Sequence, residues 1–305
     1  MSGLCEGRVV VVTGAGGGIG RAYALAFAQQ GAKVVVNDLG GSRDGSGASA
    51  GAAHAVVDEI VAAGGQAVAN ADDISSWDGA KNLVGQAVDT YGRLDVLVNN
   101  AGILRDKMIA SMTEEDWDAV IGVHLKGTFA TTRHAAEYWR GVSKAGGVVD
   151  GRVINTTSPS GLYGNVGQAN YGAAKAGIAS FTIIAARELG RYGVTVNAIA
   201  PTALTRLTED VPFMADAQTD ESGFNEMDPA NIAPLAVWLG SAQSKGITER
   251  VFSVWGGRLS VLEGWVAGPT VDRKGVWDPA ELGDVVPDLV AKAAPNADGL
   301  GARPA

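Results

Sequence analysis

Apolar residues recur along this chain in two alternating rhythms. Short β-branched or continuous apolar runs occupy residues 8–13 (Arg8-Val9-Val10-Val11-Val12-Thr13), 33–37, 66–70, 94–98, 151–157, 194–200 and 250–254. Runs of this length, bounded by glycines, predict buried strands. Between them, apolar positions repeat at helical spacing over 19–30, from about 49 to 63, and over 77–91, 113–139, 168–191 and 231–239. The helix over 113–139 carries a start signal, Thr113 followed by Glu114, Glu115 and Asp116; carboxylates there favour the positive end of the helix dipole. Strands alternating with helices predict right-handed crossovers and a parallel sheet, an α/β fold. Three stretches lack either rhythm: a Gly/Ser-rich loop over 39–49, an irregular segment over 205–227, and a Pro-, Gly-, Ala- and Asp-rich tail from 268.

The 305 residues suffice for one large domain or two small ones. We expect one domain over 1–267 and a tail over 268–305 that lies over the domain or frays. An apolar content of 46% is enough for a sizeable core. The net charge of −9 repels phosphate backbones, so no nucleic-acid partner is expected. A lone cysteine, Cys5, allows no internal disulfide and no cysteine metal cluster. Nothing resembles a signal peptide, no apolar run reaches the roughly 18 residues of a membrane span, and the terminal Arg303-Pro304-Ala305 is no Ser-Lys-Leu type address. A cytoplasmic protein without bound metal is the expectation.

The first candidate chemistry lies between the first strand and helix, at Thr13-Gly14-Ala15-Gly16-Gly17-Gly18-Ile19-Gly20. Gly14, Gly18 and Gly20 allow a tight turn and close backbone approach, and the helix start offers free N–H groups to a pyrophosphate. No Gly-Lys-Ser/Thr follows, so a triphosphate loop is not indicated. Asp38 closes the second strand. A carboxylate there accepts ribose hydroxyls and repels a 2′-phosphate, which favours NAD over NADP. Arg43, in the following loop, pulls the other way if it reaches a phosphate. Asp73, after the third strand, is placed to meet the adenine amine, and Asp72 is an equal geometric candidate.

The second candidate is Tyr171 and Lys175, with Ser158 upstream. Residues at i and i+4 share one helix face. A neighbouring ammonium is expected to lower the tyrosine's pKa, and a phenol so tuned can exchange a proton with a carbinol or carbonyl. Taken alone, the pair is equally an amphipathic helix with one buried aromatic and one solvated lysine.

Together, Thr13-Gly14-x-x-x-Gly18-Ile19-Gly20, Asn99-Asn100-Ala101-Gly102, Ser158 and Tyr171-x-x-x-Lys175 resemble a classical short-chain dehydrogenase/reductase over about residues 7–260. The resemblance implies a single doubly wound (Rossmann) α/β domain, with a parallel sheet and helices on both faces. It implies a nicotinamide cofactor, with Tyr171 as acid/base and Lys175 holding the nicotinamide ribose. Ser158 would hydrogen-bond the substrate oxygen. Gly14, Gly18, Ile19, Gly20, Asn100, Ala101 and Gly102 would contact the cofactor, with Asn99 and Gly102 lining its adenosine and nicotinamide side.

A narrower resemblance rests on Val36-Asn37-Asp38-Leu39-Gly40-Gly41, Gly102-Ile103-Leu104-Arg105-Asp106, Val123-His124-Leu125-Lys126-Gly127, Ser160-Gly161-Leu162-Tyr163-Gly164-Asn165 and Ala233-Pro234-Leu235-Ala236-Val237-Trp238-Leu239. These are similar to the dehydrogenase units of peroxisomal multifunctional enzyme type 2 and their stand-alone bacterial relatives. That subgroup implies an acyl-CoA alcohol as substrate, fatty or steroidal.

His124 stands where classical members carry an asparagine that holds a proton-relay water; a relay and a packed helix histidine are both open. Pro201-Thr202 replaces the usual Pro-Gly, and Thr205 is a candidate for the carboxamide or pyrophosphate. Gln168 is three residues before Tyr171 and is a candidate substrate contact. The expected function is NAD-dependent oxidation of a 3-hydroxyacyl-CoA. The alternatives are an NADPH-dependent 3-oxoacyl-thioester reductase and a non-catalytic dinucleotide-binding redox sensor. By resemblance, the helices over 113–139 and 168–191 pair between subunits in a homodimer or homotetramer.

Overall fold

Four successive valines make β1 (Val9–Thr13) a strand buried on both faces, because side chains alternate sides and every one is apolar. The computed structural model describes residues 3–205, 208 and 219–303; the expected irregular segment lies largely outside them, as do residues 304–305. Contacts divide the chain into Met1–Leu262 and Glu263–Ala305. The first unit is an eight-stranded sheet in the order β3-β2-β1-β4-β5-β6-β7-β8. Its strands are β1, β2 (Lys33–Asn37), β3 (Gln66–Asn70), β4 (Val96–Asn99), β5 (Gly151–Thr156), β6 (Val194–Thr202), β7 (Val251–Trp255) and β8 (Arg258–Leu262). The first seven pair in parallel, and β8 returns antiparallel on β7.

The strand order reverses direction at β1, and each face carries its own core. On one face α1 (Gly18–Gln29), α2 (Gly51–Ala62) and α8 (Ala233–Gly240) pack Tyr23, Phe27, Val56, Ile60 and Leu239 against Val10, Val34 and Val98. On the other, α3 (Trp77–Tyr91), α5 (Gly127–Lys144) and α7 (Ala169–Leu189) pack Leu83, Trp139 and Leu189 against Val9, Val35 and Leu97. This is the expected doubly wound fold.

Three details depart from expectation. The long helix over 113–139 is broken into α4 (Glu114–Ile121), one wider π-helical turn (Gly122–Lys126), and α5. The widened turn carries His124 inward, where it is buried, and Gly122 and Gly127 bracket it. The expected start holds as a reciprocal capping box between Thr113 and Asp116. Next, β8 follows β7 through Gly256-Gly257, a two-residue hairpin signal. Lastly, the expected aperiodic tail contains α9 (Leu282–Lys292), with Pro287 inside it. A short helix, α6 (Pro159–Tyr163), follows β5.

Candidate active site

The carboxyl ends of β1, β2 and β4 open onto a groove at the point where strand order reverses, the place where doubly wound sheets bind ligands. Gly14, Gly17 and Gly18 line one wall, Asp38 and Arg43 the outer end, and Asn100, Ala101 and Gly102 the opposite wall. The glycine turn is sterically obligatory. A Cβ on Gly14 would stand 2.6 Å from the Ala101 Cα, and one on Gly20 would stand 2.1 Å from the Gly14 carbonyl oxygen. Gly18 has φ +51°, a left-handed value that favours glycine. No side chain caps the first turn of α1, which leaves its leading amides for an anion. Ile19 packs into the core below, so only its backbone serves the turn.

Asp38 sits against this turn. Its Oδ2 accepts from the Gly16 N–H at 2.7 Å and its Oδ1 from the Gly40 N–H at 2.7 Å. Each oxygen keeps a lone pair for a ribose hydroxyl. Asp72 and Asp73 both line the groove. Asp73 Oδ1 accepts from Ser75 N and Oγ, while Asp72 Oδ2 accepts from Asn70. Thr205 lies over Gly18, with Cγ2 3.3 Å from where a Cβ would stand, and also lines the groove. Pro201 is inside β6, opposite Val254.

The expected asparagines divide. Asn100 ties the groove walls together: its N–H donates to Thr13 Oγ1 at 2.9 Å and its Nδ2 to the Thr13 and Gly14 carbonyls. Asn99 does not line the groove as expected. It is buried, donating to Thr132 and Asn155 and accepting from Thr131. Adjacent strand residues point to opposite sides, and Asn99 points into the helix layer.

Ser158, Tyr171 and Lys175 do come together. Ser158 caps α6, its Oγ accepting from the Ser160 N–H at 3.2 Å, and it stands near enough to the Tyr171 phenol to pull that group's pKa down. Lys175 is buried. Its Nζ donates to the Thr156 carbonyl at the end of β5, at 2.7 Å, and stands 5.5 Å from the Tyr171 ring centroid. Burial pushes the Tyr171 phenol up to about 12, with Ser158 pulling the other way. Burial also pushes the Lys175 ammonium down to about 7. The expectation that Lys175 lowers the tyrosine's pKa is therefore corrected. Removing both groups from water outweighs their attraction, and the lysine lies over the ring and spends a donor on a carbonyl.

His124 packs edge-on against Tyr171, with ring centroids 5.1 Å apart at 89°. Its Nε2 contacts Ile103 N at 3.1 Å and Ile103 O at 2.8 Å, and its buried Nδ1 has no partner among the described residues. Burial and the nearby Lys175 push its pKa down to about 3, so it is a neutral imidazole. A Cβ on Gly102 would meet its Cε1 at 2.4 Å, which explains the glycine there.

Gln168 donates to Asp106 Oδ2 at 2.7 Å and accepts from Asn165 at 2.9 Å. Its amide clamps two loops beside Tyr171. Several neighbours escaped the sequence reading. Ile74, Ile103 and Val123 line the groove, and Asn170 is wholly buried against the tyrosine. Of these only Asn170 carried a signal, its place beside Tyr171. Among the described residues no group of three His, Cys, Asp or Glu could hold a metal, and no helix is long and apolar enough to cross a membrane.

With this geometry in view, the family profile of the short chain dehydrogenases matches residues 8–212. The chain belongs to that family, oxidoreductases that act on CH–OH groups with a nicotinamide dinucleotide. It is 45% identical over 302 residues to hydroxyacyl-CoA dehydrogenase ChsB1 of Mycobacterium tuberculosis, covering 95% of this chain and 91% of that one. It is 46% identical to the peroxisomal multifunctional enzyme type 2 of Mus musculus, over 83% of this chain and 33% of that larger protein. A 3-oxoacyl-[acyl-carrier-protein] reductase of Synechocystis is 42% identical, over 83% of this chain and 97% of its own. The crystal structure of a short chain dehydrogenase from Mycobacterium avium superposes with a TM-score of 0.86 at 59% identity, covering 97% of this chain and 98% of that one.

Proposed function

We propose that this protein is an NAD-dependent dehydrogenase that oxidises a 3-hydroxyacyl-CoA, fatty or steroidal, to the 3-ketoacyl-CoA. The observation that carries the chemistry is the convergence of Ser158, Tyr171 and Lys175, which packs through His124 against Gly102 on the wall of the glycine-lined groove. The acyl-CoA substrate class rests on the names of the hydroxyacyl-CoA dehydrogenase and multifunctional-enzyme relatives.

The residues fit a dinucleotide. The uncapped start of α1 suits a pyrophosphate, and the lone pairs left on Asp38 suit ribose hydroxyls. A third anionic group on a 2′-phosphate would meet the Asp38 carboxylate, which favours NAD. When bound, NAD⁺ supplies the hydride acceptor and a fixed positive charge. Once ionised, the Tyr171 phenolate oxygen takes the substrate hydroxyl proton and becomes the phenol. The Ser158 Oγ–H donates to the substrate oxygen as charge develops on it; one such positioned donor in a dry site contributes roughly 3 kcal/mol. Lys175, aligned by the Thr156 carbonyl, would hold the ribose, and the positive charge of the bound nicotinamide would favour the phenolate that burial alone disfavours. His124, neutral and packed on the ring, fixes its orientation.

A 3-oxoacyl-thioester reductase is the second reading. The Synechocystis relative favours it, as does Arg43 at the outer end of the groove. A redox sensor has no need of the whole trio. Initial rates with a panel of 3-hydroxyacyl-CoAs and 3-oxoacyl thioesters, each with NAD(H) and NADP(H), separate the three. NADH formation from hydroxyacyl-CoA is the expected result; NADPH-driven reduction alone would sink it.

The quaternary reading is a homodimer or homotetramer through α5 and α7, supported by the exposure of Phe129 and Ile184 on those helices. Light scattering that returned a monomer would refute it.

A further inference from the structure

We infer that Asn170 is a positioning residue for Tyr171, holding the phenol in place through its backbone and through two neighbouring segments. This inference rests on the acid/base reading of Tyr171.

α7 begins without a side-chain cap, since Gln168 supplies none. The leading amides of a helix have no partner within it. The Gly172 N–H still reaches the Gln168 carbonyl at 2.7 Å. The Tyr171 N–H is taken by Asn170 Oδ1, also at 2.7 Å. The same carboxamide donates from Nδ2 to the Arg105 carbonyl at 3.0 Å and to the Asp116 carbonyl at 3.1 Å. Asn170 is 0% exposed, so water does not compete for these bonds while the side chain is in place.

The three partners belong to three different parts of the site. Tyr171 is the reacting phenol. Arg105 lies on the loop leaving the groove wall, the loop whose Ile103 grips His124. Asp116 lies in α4, tied by its carboxylate to Lys107 at 2.9 Å and to the Thr113 cap. His124 therefore braces the Tyr171 ring, and Asn170 braces its backbone against the same loop. A displacement of the order of 1 Å at a reacting group costs about a hundredfold in rate. A lost brace is thus read in turnover before it is read in binding.

The test compares the parent with Asn170→Ala and Asn170→Asp. The aspartate keeps the size and the acceptor for the Tyr171 N–H but loses both donors, and it serves if the alanine variant does not fold. Turnover is measured per NADH-binding site, with NADH affinity from fluorescence, substrate KM, the pH profile of kcat, and amide exchange of the peptide spanning 168–175. We expect kcat per site to fall by about ten- to a hundredfold, with NADH affinity and KM within about threefold. We also expect a displaced pH limb and faster exchange in that peptide. Parent-like kcat per site with an unmoved pH profile would overturn the inference, whatever happens to melting temperature. A parent that turns over no member of the panel would overturn the proposed function instead. Exchange over 168–175 then decides the bracing role by itself, and unchanged protection in the variants would refute it.

Discussion

At the amino ends of β1, β4 and β5, five charged side chains form ion pairs with one another, whereas at the carboxyl ends Lys175 meets one carbonyl and the face of a tyrosine. Arg8 and Arg152 share Asp150, at 2.8 and 2.7 Å. Arg93 binds Asp95 at 2.6 Å, and Asp95 also accepts from the Val9 N–H at 2.8 Å. Each of the three guanidiniums there touches one of two carboxylates, although Arg8 Nε and Arg152 Nη2 are buried without a hydrogen-bond partner among the described residues. At the other end of the same strands, the Thr156 hydroxyl and His124 Nδ1 are buried with no partner among the described residues. Tyr171 and Lys175 are both driven toward their neutral forms. One end of the sheet is electrostatically closed and the other held open. An open end is what a fold needs if a charged cofactor is to complete it.

The largest effect should come from breaking the open end at its reactive atom. Tyr171→Phe removes the proton carrier and leaves the packing, so turnover should fall by at least about a thousandfold while NADH still quenches or enhances fluorescence as in the parent. A variant keeping even a tenth of the parent rate contradicts the role of Tyr171. Next in size, Asp38→Ala should weaken NAD binding by about ten- to a hundredfold, an effect of the order of one or two charge-assisted hydrogen bonds, and NADP binding by much less. Titration with both cofactors measures it, and an equal loss for both sinks the ribose reading.

The closed end should respond in stability alone. Arg152 is 1% exposed, so Arg152→Met leaves Asp150 with Arg8 only and removes the guanidinium's bonds to the Ser241 carbonyl and the Ser244 hydroxyl. We expect a loss of about 3 kcal/mol, read as a melting temperature several degrees lower, with kcat per folded molecule unchanged. A fall in kcat at constant stability would erase the distinction between the ends.

The smallest effect is a pH slope. The folded His124 pKa lies below its free value, from 6.5 to about 3, so the unfolded chain binds the extra proton first. Stability from this burial is fully present above pH 6.5 and is lost as pH falls from 6.5 toward 3. Denaturant midpoints across that range should fall less steeply in His124→Asn than in the parent.

Most of the strand layer was legible because its residues allow little else. Val9 to Val12 cannot be a solvated element, and Asp38 and the glycine turn follow from strand ends. The π-helical turn was not legible. Helical periodicity over 113–139 is unbroken, and only a tertiary contact, His124 on Ile103, shows why one turn must widen. β8 was missed although Gly256-Gly257 was a readable hairpin signal. α9 was missed because the Pro-, Gly-, Ala- and Asp-rich composition of the tail hid the helical spacing of Leu282, Val285, Val286, Leu289 and Val290. At the site, the trio was legible as a spacing but its electrostatics were not. Proximity of Tyr171 and Lys175 suggested a lowered phenol pKa; burial, which spacing does not report, decides the opposite sign. Asn170 shows the same limit, since its three partners come from segments far apart in the chain.

The central claim is that the open end completes an NAD site for oxidation of a 3-hydroxyacyl-CoA at Tyr171. The most direct measurement is NADH absorbance at neutral and alkaline pH with a 3-hydroxyacyl-CoA, in the parent and in Tyr171→Phe. The account predicts NADH formation that rises with pH as the phenol ionises, and a flat trace in the variant. NADH formation that persists in Tyr171→Phe, or a parent that oxidises no hydroxyacyl-CoA with NAD, would contradict it.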